Sequence, residues 1–226
     1  MKKNCVFLFI TESYIQGGLV AIYSFSKHNQ WFCDDIIVSY VEGSIKSEDL
    51  LRFKNLYDKT ILLEISPNEY DDISRIAIDR TYFIGDIFKK FKCLEVKGYD
   101  KLVLLDADVL VTGDIKELFD TNYDVIGVVD NIVNGDSISM EWRERYGEYF
   151  NSGILVFNDE GIRHNLLERV NHINEYDFTF YEGCGHCGLY YPDQDIFNIF
   201  TSDVNVGLAP QYYNFKAQDV NEYNVC

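Results

Sequence analysis

Short apolar runs alternate along the chain with segments whose apolar residues recur every three or four positions. The runs read as buried strands, the spaced segments as amphipathic helices. Strands are expected at Cys5 to Thr11, Ile36 to Val41, Lys59 to Ile65, Lys101 to Leu105, Asp124 to Val129, Phe150 to Phe157 and Val204 to Leu208. Helices are expected at Tyr14 to His28, Ser47 to Tyr57, Phe83 to Lys97, Ile115 to Phe119, Ile162 to Asn174 and Asp193 to Phe200. Leu19, Ile22, Tyr23 and Phe25 carry the helical period in the first of these, and Ser47 is the expected cap of the second. The alternation predicts an α/β fold: a mostly parallel central sheet with helices on both faces. Ligand sites in such sheets lie beyond the carboxyl ends of the strands. No repeat, low-complexity tract or linker composition divides the sequence, so one domain over residues 1–226 is expected.

The opening MKKNCVFLFITES imitates a secretion signal, but its apolar run ends at Glu12 with no small-residue cleavage site, so it reads as the first core strand. No stretch reaches transmembrane length. Six cysteines without a secretion signal predict reduced thiols and a cytoplasmic location. The formal charge of −17 argues against nucleic acid or an anionic membrane as partner. An anionic substrate then needs local help from a metal ion, a helix N-terminus or a lysine.

That help points to LLDADVLVTGD, residues 104–114. A core strand there ends in two aspartates one residue apart. Carboxylates are costly to desolvate, so their place at a strand end asks for a partner. Two hard oxygen ligands with open positions suit Mn²⁺ or Mg²⁺ shared with substrate phosphates. The plainer alternative is a turn in which the aspartates accept from nearby amides. Three other segments have the same two-sided character. TESYIQGGLV, residues 11–20, opens a helix after the first strand, with Tyr14 free to stack on a base, or buried in the core over Gly17 and Gly18. YFNSGILVFN, residues 149–158, offers Asn151 and Gly153 to a ligand, or is a strand-initiating turn. YPDQDIFN, residues 191–198, starts a helix whose Asp193 or Asp195 caps it, or stands beside the metal.

Taken in order, these motifs resemble glycosyltransferase family 8, the glycogenin-like and galactosyltransferase-like enzymes of GT-A fold. The N-terminal strand and Tyr14 loop, the LDAD segment, FNSG, DQDIFN and Leu208-Ala209-Pro210-Gln211-Tyr212-Tyr213-Asn214, which has one residue more than LPxxYN, all match, as does KFKCLEV at 90–96 with Leu94 where the family carries Trp. The resemblance covers roughly residues 5–215. It implies a retaining transfer of a hexose from UDP-glucose or UDP-galactose to a glycan or protein hydroxyl. Asp106 and Asp108 would bind Mn²⁺ or Mg²⁺ bridging the diphosphate, and Asp106 or Ala107 would touch the ribose. Leu8, Ile10, Thr11 and Tyr14 would hold the uridine. Lys90 would contact the diphosphate or donor sugar, with Arg80 in a similar part. Asp130, Asn151, Ser152, Asp193 and Gln194 would line the sugar, the last two being the catalytic candidates for either a front-face or a double-displacement route.

The family's C-terminal HxxGxxKPW, whose His is a third metal ligand, does not follow before Cys226, and His28, His164, His172 and His186 do not fill its place. This leaves a shortened sequence or an incomplete site, and the alternative of a weak or inactive UDP-sugar-binding relic. Two rivals are less well supported. Cys184-Gly185-His186-Cys187 spells a dithiol motif, but the residues after it break a helix rather than open one. The LDAD segment also imitates a haloacid-dehalogenase nucleophile loop, but it falls too late in the chain for that fold. His164 and His172 should face solvent, Trp31 and Trp142 should pack, and a homodimer is left open.

Overall fold

Each expected strand takes its place in a single seven-stranded sheet. The structure, a computed structural model, describes residues 3–71, 73, 84–130, 140–176, 192–210 and 213. The strands are β1 (Asn4–Phe9), β2 (Asp35–Val41), β3 (Thr60–Ile65), β4 (Lys101–Leu105), β5 (Val125–Val129), β6 (Phe150–Phe157) and β7 (Val206–Ala209). Their order is β3-β2-β1-β4-β6-β5-β7. All pairings are parallel except those of β6, which runs antiparallel to β4 and β5.

Near-continuous apolar strands imply burial on both faces. Alternate residues accordingly enter two cores. Cys5, Phe7, Leu102, Leu104, Leu155 and Phe157 belong to one; Val6, Leu8, Val103, Leu105, Ile154 and Val156 belong to the other. The second face is covered by α1 (Ile15–His28), α2 (Ser47–Leu56) and the short α4 (Lys116–Phe119), through residues such as Ile22, Phe25, Phe53 and Leu118. The first is covered by a 3₁₀ helix at Phe88–Glu95, by α6 (Glu160–Asn171) and by α7 (Pro192–Phe200).

Several expectations need correction. The helix expected from Phe83 to Lys97 is a single α-turn, α3 (Ile84–Ile87), followed by eight residues of 3₁₀ helix. The reason lies in the spacing: Phe88, Phe91 and Leu94 are all core residues and recur every three positions, which is the 3₁₀ period. Phe88 and Phe91 stack with centroids 5.9 Å apart. Tyr14 belongs to a 3₁₀ turn at Glu12–Tyr14, and α1 begins at Ile15. Ser47 is the first residue of α2 rather than its cap; Lys46 holds that position without a side-chain hydrogen bond. Asp159 caps α6, accepting from the Gly161 N–H, so that helix starts two residues before Ile162. One helix, α5 (Met140–Tyr146), has no counterpart among the expected elements. As expected, His164 and His172 are exposed and Trp142 is buried.

Candidate functional site

The sheet order delivers the motif residues to one edge. β1 and β4 are parallel neighbours with Leu8 opposite Leu105, so Ile10–Thr11 and Asp106 leave the sheet side by side. In a fully parallel sheet the start of β6 would lie at the opposite edge. Because β6 is antiparallel, Ile154 pairs with Leu105, and the Asp106 N–H donates to the Gly153 carbonyl at 2.9 Å. Asn151, Ser152 and Gly153 therefore stand next to Asp106. The β5–β6 register breaks between Gly127 and Val128, which pair with Leu155 and Asn151. The intervening residues bulge out of the ladder, a common way for a sheet to aim side chains at a ligand. Gly127 allows the bulge, since a β-carbon there would strike the Phe150 ring.

Three separate segments meet at the Lys90 ammonium. It lies 2.8 Å from Asp106 Oδ1 and 2.6 Å from Asp193 Oδ2. Asp193 Oδ2 also accepts from Ser152 Oγ at 2.9 Å, and Gln194 Oε1 accepts from the Ser152 N–H at 3.1 Å. Lys90 and Asp193 keep only 9% and 7% of their side-chain surface, whereas Asp106 keeps 31%. Burial works to deprotonate Lys90, but Asp106 and Asp193 outweigh it and hold the ammonium well above the ordinary lysine range. Burial raises the Asp106 carboxyl, with Lys90 pulling against it and Asp193 adding like charge. Neither carboxylate caps a helix: Asp193 and Asp195 lie inside the first turn of α7, which corrects the expectation of a cap.

Helix α7 is tied to the start of β6 and the residue before it by further buried groups. Asp195 accepts from the Tyr149 hydroxyl. Asn198 clasps the Phe150 backbone, accepting from its N–H at 2.9 Å and donating to its carbonyl at 2.8 Å. These contacts fix the start of β6: Asp195, expected as a cap or beside the metal, bonds Tyr149 instead, and the Asn198 clasp on Phe150 has no signature in the sequence, since Asn in a helix ordinarily reads as solvated.

Other expected residues are distributed as follows. Asp108 is exposed two residues beyond Asp106, and Tyr14 is 48% exposed at the head of α1. Leu8 and Ile10 are core side chains, which leaves only their backbone for the expected uridine contact, and the Ile10 N–H already donates to the Ser39 carbonyl. Thr11 is half-buried. Ala107 is buried with its carbonyl against Gly17, where a β-carbon would collide with it. Asp130 is buried at the end of β5, its N–H donating to the Tyr149 carbonyl at 3.1 Å. Asn151 Oδ1 accepts from the Gly153 N–H at 2.7 Å, shaping the bulge. Arg80, Gln211, Tyr212, Asn214 and the Cys184–Cys187 motif lie outside the described residues. Cys93, on the same 3₁₀ helix as Lys90, is no nucleophile: burial pushes its thiol up to about 12.

Two carboxylate side chains at an open edge fit a hard divalent cation that completes its shell with phosphate and water. No cluster of three His, Cys, Asp or Glu ligands occurs among the described residues. Nor is any helix among them long and apolar enough to cross a membrane.

A family model described as Glycosyl transferase family 8 matches residues 5–223. A lipopolysaccharide 1,2-glucosyltransferase of Escherichia coli is 26% identical over 218 residues, 91% of this chain and 60% of its own length. Glycogenin-2 of Homo sapiens is 25% identical over 224 residues, 97% of this chain and 38% of its own. The chain thus spans less than two thirds of these relatives. The galactosyltransferase LgtC, solved with donor and acceptor sugar analogs, has a TM-score of 0.70 at 20% identity, covering 96% of this chain and 77% of that one. GlyE of Streptococcus pneumoniae has a TM-score of 0.62 at 18% identity, covering 98% of this chain and 49% of that one. The fold shared with these structures is GT-A.

Proposed function

Since the chain belongs to glycosyl transferase family 8, we propose that it transfers a hexose from a UDP-sugar to a hydroxyl acceptor with retention of anomeric configuration. One observation carries the reading: Lys90 joins Asp106 of the LDAD segment to Asp193 of the DQD segment, 2.8 and 2.6 Å away. The expected metal pair and the expected sugar-side residues thereby share one buried cation. UDP-glucose and UDP-galactose are the candidate donors, and a glycan or protein hydroxyl the acceptor; the names of the relatives above span both sugars. A cytoplasmic location and a single catalytic domain belong to the same proposal.

Asp106 and Asp108 would hold Mn²⁺ or Mg²⁺, which when bound neutralises the departing diphosphate. The remaining roles fall to the chain's own side chains. Tyr14 offers its exposed ring to uracil. Lys90 stays charged and supplies a fixed positive group beside the charge that develops on the leaving oxygen, where a preorganised dipole or ion is most effective. Asp193 Oδ2 is held by both Lys90 and Ser152, and an oxygen engaged in an ion pair and a hydrogen bond is a weaker nucleophile. This favours the front-face route, with Gln194 presenting its amide to the sugar. Asn151, Ser152 and Asp130 line the bulged edge where that sugar would lie.

The test is calorimetric titration of UDP with Mn²⁺ and with EDTA, on wild type and Asp108→Ala. Mn²⁺-dependent binding that the substitution weakens at least tenfold is expected, a loss of about 1.4 kcal/mol or more. Binding indifferent to both metal and substitution would sink the reading. Binding without UDP-sugar turnover would favour the sugar-nucleotide-binding relic instead.

A further inference from the structure

We propose that the two carboxylates of the metal pair are positioned by different parts of the fold: the sheet holds Asp106, and helix α1 holds Asp108 through Gly17, Ser24 and Asn29. The inference rests on the metal-pair reading given above and adds residues to it.

Asp106 still belongs to the sheet, since its N–H donates to the Gly153 carbonyl at 2.9 Å. Beyond Ala107 the chain leaves the ladder. The hydrogen bond from the Val109 N–H to the Asp106 carbonyl, at 3.3 Å, is local to the turn and ties it to nothing else. From there α1 takes over at three successive levels. Gly17 packs its bare Cα against the Ala107 carbonyl. About two turns later, Ser24 Oγ accepts from the Val111 N–H at 3.0 Å while donating to the Ala21 carbonyl at 3.1 Å. At the end of the helix, Asn29 Oδ1 accepts from the Ile115 N–H at 2.9 Å, and its Nδ2 donates to the Phe25 carbonyl at 3.0 Å and reaches the Gly113 carbonyl at 3.5 Å. Ser24 and Asn29 are 4% and 1% exposed, on the core face of the helix where apolar residues would ordinarily lie. Their polar atoms are matched to backbone groups of the loop that carries Asp108. Val111 and Ile115, buried in the core that α1 covers, hold the same loop by apolar contact. Ser24, Asn29 and Gly17 are thus positioning residues, acting on Asp108 through the backbone of its loop.

The test compares Ser24→Ala with Thr60→Val. Thr60 Oγ1 is a buried group that bonds the Phe53 and Tyr57 carbonyls, so its loss is a control for general destabilisation. Two readouts are taken: Mn²⁺ affinity in the presence of UDP, from electron paramagnetic resonance of the free ion, and amide hydrogen exchange over residues 107–115 without metal. Ser24→Ala should weaken Mn²⁺ about five- to tenfold and speed exchange in that segment. Thr60→Val should lower the thermal midpoint and change neither. If Ser24→Ala fails to fold, Gly17→Ala, which displaces the Ala107 peptide, carries the same two readouts. Unchanged exchange in the loop overturns the proposal, and so does faster exchange with wild-type Mn²⁺ affinity. If the wild type itself binds no Mn²⁺, the metal-pair reading has failed, and exchange alone decides whether α1 positions the loop.

Discussion

Lys90 separates two carboxylates that would repel each other without it. Asp193 is 7% exposed in its side chain and, among the described residues, retains only the Ser152 hydroxyl once the ammonium is removed. Breaking a buried pair on one side leaves an uncompensated charge, which costs about 3–5 kcal/mol. Lys90→Met should therefore lower unfolding stability by about 3 kcal/mol in urea titrations. Adding Asp193→Asn should restore part of this, with a coupling of at least about 1 kcal/mol. Additive losses would show that the pair is not coupled. The aspartates were legible as a site because ionised residues at the end of an apolar strand need an explanation. The family resemblance placed Lys90 only against the diphosphate or donor sugar; its pairing with Asp193 was not legible, since 103 residues separate the two. Gly17 was visible as a packing glycine, but not what it packs against. Ser24 and Asn29 carried no signal at all, because a polar residue on a helix declares neither its face nor its partner.

Among the elements, the strands were the most legible. Apolar runs buried on both faces leave little latitude, and all seven expected strands exist within a few residues of their expected ends. The segment around Lys90 was misread because its apolar residues fit either helical period over so short a span. The direction of β6 was not legible either: periodicity marks a strand but not its orientation. That direction decides whether Asn151 and Ser152 reach the site, and the bulge opposite Gly127 completes their placement. Gly127→Ala pushes a methyl group into the Phe150 ring. A destabilisation of about 1–3 kcal/mol is expected from such overpacking. Because Phe150 leads into the bulge, affinity for UDP-glucose should fall while affinity for UDP alone holds; calorimetry with the two ligands separates them. Equal losses for both would mean the bulge does not shape the sugar side.

At the scale of the molecule, charge and acid stability pull in opposite directions. With a formal charge of −17, lowering the pH relieves self-repulsion, yet it also protonates carboxylates that fold stability relies on. Asp35, at the start of β2, is one of these. Burial works to raise it, but Lys3 at 2.7 Å and the Tyr99 hydroxyl outweigh burial and hold it below its ordinary 3.8. A depressed folded value means its stabilisation is present above the unfolded value and is lost as pH falls through the folded one. Lys3 is half exposed, so the contribution is small, about 0.5–1 kcal/mol. Asp35→Asn should lower stability by that amount at neutral pH and match wild type at about pH 2. A gap that persists in acid would point to lost packing instead.

The antiparallel β6 also sets an order in time. β1 to β4 make up one side of the sheet from the first 105 residues, while the groups that pair with Lys90 and flank Asp106 arrive with β6 and α7, as late as Asp193 and Gln194. On the ribosome, at about 5–20 residues per second, the nascent chain waits roughly 5–20 s between the two. For the earlier part of that interval, until Phe157, β4 presents its apolar edge without β6, and throughout it Lys90 has no Asp193 to meet. The nascent chain is then open to mispairing along that edge, because an uncovered strand edge is a ready template for another chain.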